Sequence, residues 1–222
     1  MKLFFAMVSV LFLFVACNKE TAVIETPAAQ VSYKIEIQLL WISPKFTVPA
    51  YAHFTNFIGM VHTKDSFLWA PNGLATTGLE FVAEVGSNGR LNKEIDSIIA
   101  KGKALSAFQI LPPAIDGRYD TTFNFTLQYS SISFASMIAP SPDWFIGLNK
   151  YNLLQNGSWV KDITVPLYGY DAGTEDGDVF GYNNPETNPR QSIHLLTAAN
   201  ASVLANGNAQ LAPMGNIRFI KL

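Results

Sequence analysis

The sequence predicts an all-β fold, an antiparallel β-sandwich of about eight strands with one or two short helices. Three observations lead there. Apolar and polar residues alternate through Tyr33–Trp41 and again through Phe123–Tyr129, the period of a half-buried strand. Clusters of Pro, Gly, Asn and Asp separate further short apolar runs. A single clear helical pattern stands among them, so the alternating helices that a parallel sheet needs for its crossovers are missing. Composition agrees, because 13 % aromatic and 14 % charged residues make an aromatic-rich, charge-poor chain of the kind common in sandwiches and barrels. The 222 residues show no internal repeat and no second domain boundary, and they suffice for one large core.

Taken in order, Tyr33, Ile35, Ile37, Leu39 and Trp41 form the apolar side of the first strand, with Lys34, Glu36 and Gln38 opposite. Pro44 and Pro49 make Ser43–Ala50 a loop. Phe54, Phe57, Ile58 and Val61 fit a helical spacing, which predicts a short helical or irregular segment over Tyr51–His62. Phe67-Leu68-Trp69 reads as an aromatic strand end running into a turn at Gly73, and Leu79–Glu84 as another short apolar stretch. Leu91, Ile95, Ile98 and Ile99 share one face of the clearest helix, stopped by Gly102 and placed to cover one end or edge of a sheet. Period two then returns. Strands are expected within Ala107–Leu111, Phe123–Tyr129, Ser133–Ala139, Trp144–Leu154, Trp159–Leu167, Ser192–Ala198 and Ile217–Leu222.

The amino terminus reads as an export signal. Met1-Lys2 precedes an uncharged apolar run from Leu3 to Ala16, too short for the ~20 residues of a spanning helix. Phe14-Val15-Ala16-Cys17 resembles the lipobox of bacterial lipoproteins, with Phe14 where leucine is usual. That resemblance implies cleavage before Cys17 and acylation of this residue. Cys17 is the only cysteine, so no intrachain disulfide forms, and an exported chain with one cysteine at the end of its signal has another use for it. The expected organisation is a signal over 1–16, a flexible tether over 17–30 and one domain over 31–222, held in the bacterial cell envelope as an outer-membrane lipoprotein facing the periplasm or the surface. The formal net charge of -2 argues against a nucleic-acid partner.

Two loops carry the chemistry. In Met137–Gly147, MIAPSPDWFIG, Pro140 and Pro142 interrupt two apolar runs and predict a stiff turn that presents Asp143 at its tip. In Asp171–Gly177, DAGTEDG, three acids stand beside two glycines. Asp143, Asp171, Glu175 and Asp176 offer hard oxygens, and Gly173 and Gly177 let backbone carbonyls turn inward, which suits a shared calcium ion. The plain alternative is that these acids are turn formers that cap nearby amides. His53, His62 and His194 lack the short spacing of a zinc site. No G-x-S-x-G, H-E-x-x-H or phosphate-binding glycine loop is present. Paired acids for glycoside hydrolysis remain conceivable among Glu80, Glu84 and Asp143. Trp41, Trp69, Trp144 and Trp159 each lie in an apolar run, which favours core packing over sugar stacking.

These blocks resemble the spondin N-terminal domain family. The residues that carry the resemblance are the strand ending at Trp41, Ala52-His53-Phe54-Thr55, Gly59 with His62, Phe67-Leu68-Trp69 with Gly73, Ala83–Gly86, APSPDWFIG over 139–147, and Asp171–Thr174 with Gly177. The resemblance implies a sandwich similar to calcium-dependent membrane-targeting domains, a calcium ion at one end, and extracellular binding or adhesion rather than catalysis. It assigns Asp143 and Asp171 as carboxylate ligands, with Glu175 at the acid that follows the DAGT block. Animal members carry disulfides, which this chain lacks. The expected function is a membrane-anchored, calcium-binding, non-catalytic module that recognises a protein or glycan; the alternative is a secreted or periplasmic hydrolase using acids near the same loops.

Overall fold

The computed structural model describes residues 26–222. The expected signal and the lipidated Cys17 lie outside the described residues. The chain runs through β1 (Gln30–Leu39), β2 (His53–Phe54), β3 (Phe57–His62), α1 (Thr77–Val85), α2 (Gly89–Ala100), β4 (Ala104–Ile110), β5 (Arg118–Thr126), β6 (Ser131–Ala139) and β7 (Trp144–Asn152). It continues through β8 (Leu154–Gln155), β9 (Ser158–Trp159), β10 (Asp162–Leu167), β11 (Gly169–Asp171), β12 (His194–Leu195) and β13 (Gly215–Lys221). Eight of these strands have six or more residues, β1, β3, β4, β5, β6, β7, β10 and β13. The expected all-β class and strand number therefore hold.

Two antiparallel sheets face each other. The smaller has the order β10-β13-β1-β5, and the larger β12-β11-β7-β6-β3-β4, with β2 added beside β6. Alternate residues of β1, from Val31 to Leu39, point inward and meet Phe57, Val61, Ile132, Phe134, Ile138, Trp144 and Ile146 of the larger sheet. The other side of β1 faces water. There Lys34 pairs with Glu36 and Asp120, and Arg218 with Glu36 and Asp162. Charges placed across neighbouring strands keep this face wet and discourage edge-to-edge association.

The larger sheet is buried on both faces. Its second face carries Ile58, Met60, Ala135 and Phe145, and α1 and α2 cover it with Leu79, Val82, Leu91 and Ile95. The helices thus lie across a sheet face, not at its end or edge. Thr76 caps α1 by accepting from the Leu79 amide, and Gly86, at φ 65, ends it in the left-handed conformation that glycine adopts without strain.

Burial on both faces also explains where the sequence reading departs from the structure. The segment Tyr51–His62 is not helical: it supplies β2 and the interior strand β3, whose six residues are all buried. With both faces covered, alternation disappears and a continuous apolar run mimics a helical stripe. Leu79–Glu84 belongs to α1, and Phe67–Gly73 is not a strand but an irregular loop that tucks Leu68 and Trp69 beneath the helices. Within Ser192–Ala198 only His194–Leu195 is strand. All four tryptophans are buried, in keeping with packing roles.

At Gly147 the sheet is closed in by its own neighbouring strand and by the covering layer together. A Cβ there would meet the Phe134 carbonyl oxygen at 2.5 Å and the Trp69 ring at 3.0 Å, while the Trp69 indole donates to that same carbonyl at 3.0 Å. Neither backbone nor ring yields cheaply, so Gly147→Ala is expected to destabilise by roughly 1–3 kcal/mol. Chemical denaturation should show a lower midpoint with an unchanged slope.

Candidate metal centre

Strand pairing builds the site. Asp143 directly precedes β7, and β11 pairs antiparallel with β7 in the register Gly169↔Ile146, Tyr170↔Phe145 and Asp171↔Trp144. The ladder continues one step further, with the Ala172 amide donating to the Asp143 carbonyl at 3.2 Å. The ends of adjacent strands therefore bring Asp143 and Asp171 together.

Asp143 is not a loop tip. It is fully buried, together with Ser141 and Trp144 around it. Its Oδ2 accepts from the Thr174 amide at 2.7 Å, the Glu175 amide at 3.1 Å and the Thr174 hydroxyl at 3.2 Å. Its Oδ1 has no hydrogen-bond partner among the described residues. Burial, and after it the charge of Asp171, push the Asp143 carboxyl up to about 7, against the opposing pull of the three donors. Burial also raises Asp171, whose Oδ1 accepts from the Gly173 amide at 2.8 Å. The Trp144 indole N–H favours the charged form of Asp171 without closing a full hydrogen bond. His194, paired with Asp171 across β11 and β12, places Nδ1 3.9 Å from Asp171 Oδ1.

Gly173 makes the loop possible. At φ 73 it sits where a Cβ would lie 2.3 Å from the Gln191 carbonyl oxygen, and its own carbonyl accepts from the Gln191 amide at 2.9 Å. This turn aims the next two amides at Asp143.

The remaining sequence candidates are held differently. Glu175 Oε2 accepts from the Asn184 side chain at 3.3 Å, and Asp176 Oδ1 from the Thr187 hydroxyl at 2.6 Å. Both acids are tied to the 184–187 segment, although the charge of Asp176 still reaches Asp171. Among the described residues, no three His, Cys, Asp or Glu side chains converge as a metal cage. Glu84, on α1, is drawn to these loops through the Thr174 hydroxyl, and burial, with Glu80 as a like-charged neighbour, raises its carboxyl. Glu80 itself is bound by Arg190 at 2.6 Å. His62 is a satisfied core residue, bonded to Ser133 Oγ and the Thr63 carbonyl, each at 2.8 Å. Thr174 and the Glu175 amide are the functional groups that the acid-centred reading missed; the signal for them is the Asp-x-Gly-Thr turn, which reverses the chain and bares consecutive amides.

The arrangement defines a two-sheet antiparallel module with one buried and one half-buried carboxylate side by side at the end of one sheet. The chain belongs to the spondin N-terminal domain family: the Spondin_N family model matches residues 31–207. It is 31 % identical over 186 residues to spondin-2 of Rattus norvegicus, which covers 81 % of this chain and 56 % of that protein. Human spondin-2 matches at 31 % over 189 residues, with the same coverage. Spondin-1 of Gallus gallus is 31 % identical over 152 residues, 66 % of this chain and 19 % of the relative. The chain thus spans little more than half of the spondin-2 relatives and a much smaller part of spondin-1.

The raised Asp143 carboxyl sets a pH dependence for the protein without bound cation. The folded-state value lies above the unfolded one, so the stability it confers is fully present below about pH 4 and is lost as pH rises through about 7. In chelator, thermal melts should show this contribution falling by on the order of 4 kcal/mol across that window. Asp143→Asn should flatten the profile.

Proposed function

We propose that this domain is a membrane-anchored, non-catalytic binding module of the cell envelope whose acidic end is fixed by calcium. The observation that carries the reading is the orphaned Oδ1 of fully buried Asp143 beside the half-buried carboxylate of Asp171. Two like charges removed from water repel each other and lack solvation, a cost that a divalent cation offsets. The donor set fits calcium, a hard ion that combines few carboxylates with backbone carbonyls and water. Asp143 and Asp171 would hold the ion, which would supply positive charge and fix the two loops; Glu175 and Asp176 would need to leave Asn184 and Thr187 to join them. This chain's own contribution is the turn at Gly173, which keeps Asp143 aligned through the Thr174 and Glu175 amides whether or not its outer oxygen is engaged.

A binding role is favoured over hydrolysis because two of the three acids a glycosidase would use are not presented to a substrate. Asp143 is fully buried and Glu80 is engaged by Arg190. Anchoring through Cys17 is supported by the lipobox-like residues Phe14–Cys17, and the recognised partner is a protein or a glycan. Among the described residues no helix is long and apolar enough to cross a membrane.

Calcium titration of the purified chain, followed by thermal melting, tests the metal. The ion is expected to raise the melting temperature, with a stabilisation of about 2.7 kcal/mol at a hundredfold excess over Kd. Asp143→Asn should abolish that response while leaving the metal-free protein at least as stable, since the amide relieves the buried charge. A melting temperature indifferent to calcium and chelator would sink the proposal. Turnover on a glycan or ester panel that an acid-to-Ala change removes would establish the hydrolase instead.

A further inference from the structure

The end of the sandwich opposite the acidic loops carries a second, oppositely charged surface. Lys64, Lys101, Lys103, Lys150, Lys161 and Lys221 are all exposed, and none has an ion-pair partner among the described residues. Hydrogen bonds gather the segments that bear them. The Thr63 amide donates to the Lys103 carbonyl at 3.0 Å, the Tyr129 hydroxyl to the Gly102 carbonyl at 3.1 Å, and the Lys221 amide to the Lys161 carbonyl at 2.8 Å. Lys64 shares a groove with Leu127 and Gln128 of the β5–β6 turn, and Leu127 bonds back to Ala29. Of the acids nearby, Asp162 is neutralised by Arg218, and Asp120, which lines a groove with Leu222, by Lys34, while Asp65 is exposed and without a partner among the described residues. Exposed apolar side chains lie close to these lysines in the chain or in the groove: Leu105 after Lys103, Leu222 after Lys221, Leu127 in the groove with Lys64, and Phe67 in the loop that follows Lys64, each more than two-fifths exposed.

The chain enters the domain at this same end. Thr26, Pro27 and Ala28 line one groove with Trp159, Lys161 and Lys221, and the Trp159 indole donates to the Ala28 carbonyl at 2.8 Å. Twenty-five residues, including Cys17, precede Thr26. The nine residues of β7 separate this end from Asp143 by roughly 27 Å.

From this we infer that the lysine-bearing end docks flat on an anionic phospholipid surface, so that the domain stands on its membrane with the acidic loops pointing away. Lysines meet lipid phosphates, the exposed leucines and Phe67 enter the headgroup boundary, and the point of chain entry faces the bilayer. Each lysine held near an anionic surface contributes about fivefold to partitioning, within a Debye length of it. The inference rests on the Cys17 anchor only for delivery to the membrane; the lysine surface is scored separately.

The test is lysine acetylation of the full chain on vesicles, read residue by residue by mass spectrometry. On vesicles containing phosphatidylglycerol at low salt, Lys64, Lys103, Lys161 and Lys221 should label several-fold more slowly than on phosphatidylcholine alone. High salt should erase the difference. Lys45, exposed in the loop beyond the far end of β1, should label equally on both. The variant carrying Lys103→Glu, Lys161→Glu and Lys221→Glu, with its melting temperature unchanged, should lose the salt-sensitive protection. Identical labelling on the two lipids overturns the inference, as does protection that extends to Lys45. Protection by a sulfated glycan in solution but not by vesicles overturns it too and assigns the surface to an acidic polymer. A chain that leaves phosphatidylcholine vesicles entirely would contradict the anchor, while the pattern on phosphatidylglycerol still decides the orientation.

Discussion

The larger sheet can exist only if both of its faces leave water. β3 and β6 are buried along their whole length, and their residues divide between two cores: Phe57, Val61, Ile132 and Phe134 toward the smaller sheet, Ile58, Met60 and Ala135 toward the helices. Each fully buried side chain of this size contributes roughly 1.5–3 kcal/mol, so neither covering layer is dispensable. The demand explains the otherwise odd helices of an all-β chain. It also explains Gly147, where the Phe134 carbonyl and Trp69 together leave no room for a side chain.

That same sheet sets the terms at the acidic end. Because β7 is interior, the residue before it is interior too, and Asp143 is buried by its position in the ladder rather than by a pocket of its own. Three donors satisfy one carboxylate oxygen and none the other. A structural acid would be satisfied on both sides, because a half-satisfied buried carboxylate costs stability that an apolar residue would not. The asymmetry is clear: one oxygen is closed by the amides of the Gly173 turn, and the other is left without a donor among the described residues.

The strands whose alternation was legible in the sequence are those with one face in water, whereas β6 and β7 were legible as apolar runs bounded by turn residues. β1 and β5 announced themselves through Tyr33–Trp41 and Phe123–Tyr129, since alternation survives where polar residues are needed on alternate positions. β3 did not, because Gly59 and Met60 sit between cores and the polar phase is missing. At the site, the pairing of Asp143 with Asp171 was legible from the two motifs, while the outcome for Glu175 and Asp176 was not. Their hydrogen-bonding partners, Asn184 and Thr187, lie in a segment without periodicity, and only the fold brings it alongside through the Glu175↔Glu186 bridge. Helix α1 hid for another reason: Leu79–Glu84 is too short to display a helical stripe, and the evidence for it is the cap at Thr76 and the stop at Gly86.

The two ends of the domain are electrostatically opposite although the formal net charge is only -2. Acids gather around the ends of β7 and β11, lysines around the other end of β7 and the start of β1. Segregation of this kind is unfavourable within each end, since like charges repel, and the fold gains nothing from it. The paired charges on the smaller sheet show what the same sequence does where stability alone is at stake: Lys34, Glu36, Asp120, Arg218 and Asp162 neutralise one another. By contrast, the Oδ1 of Asp143 at one end and the exposed lysines at the other have no partner among the described residues. On the readings proposed above, a hard cation would satisfy the first and an anionic surface the second.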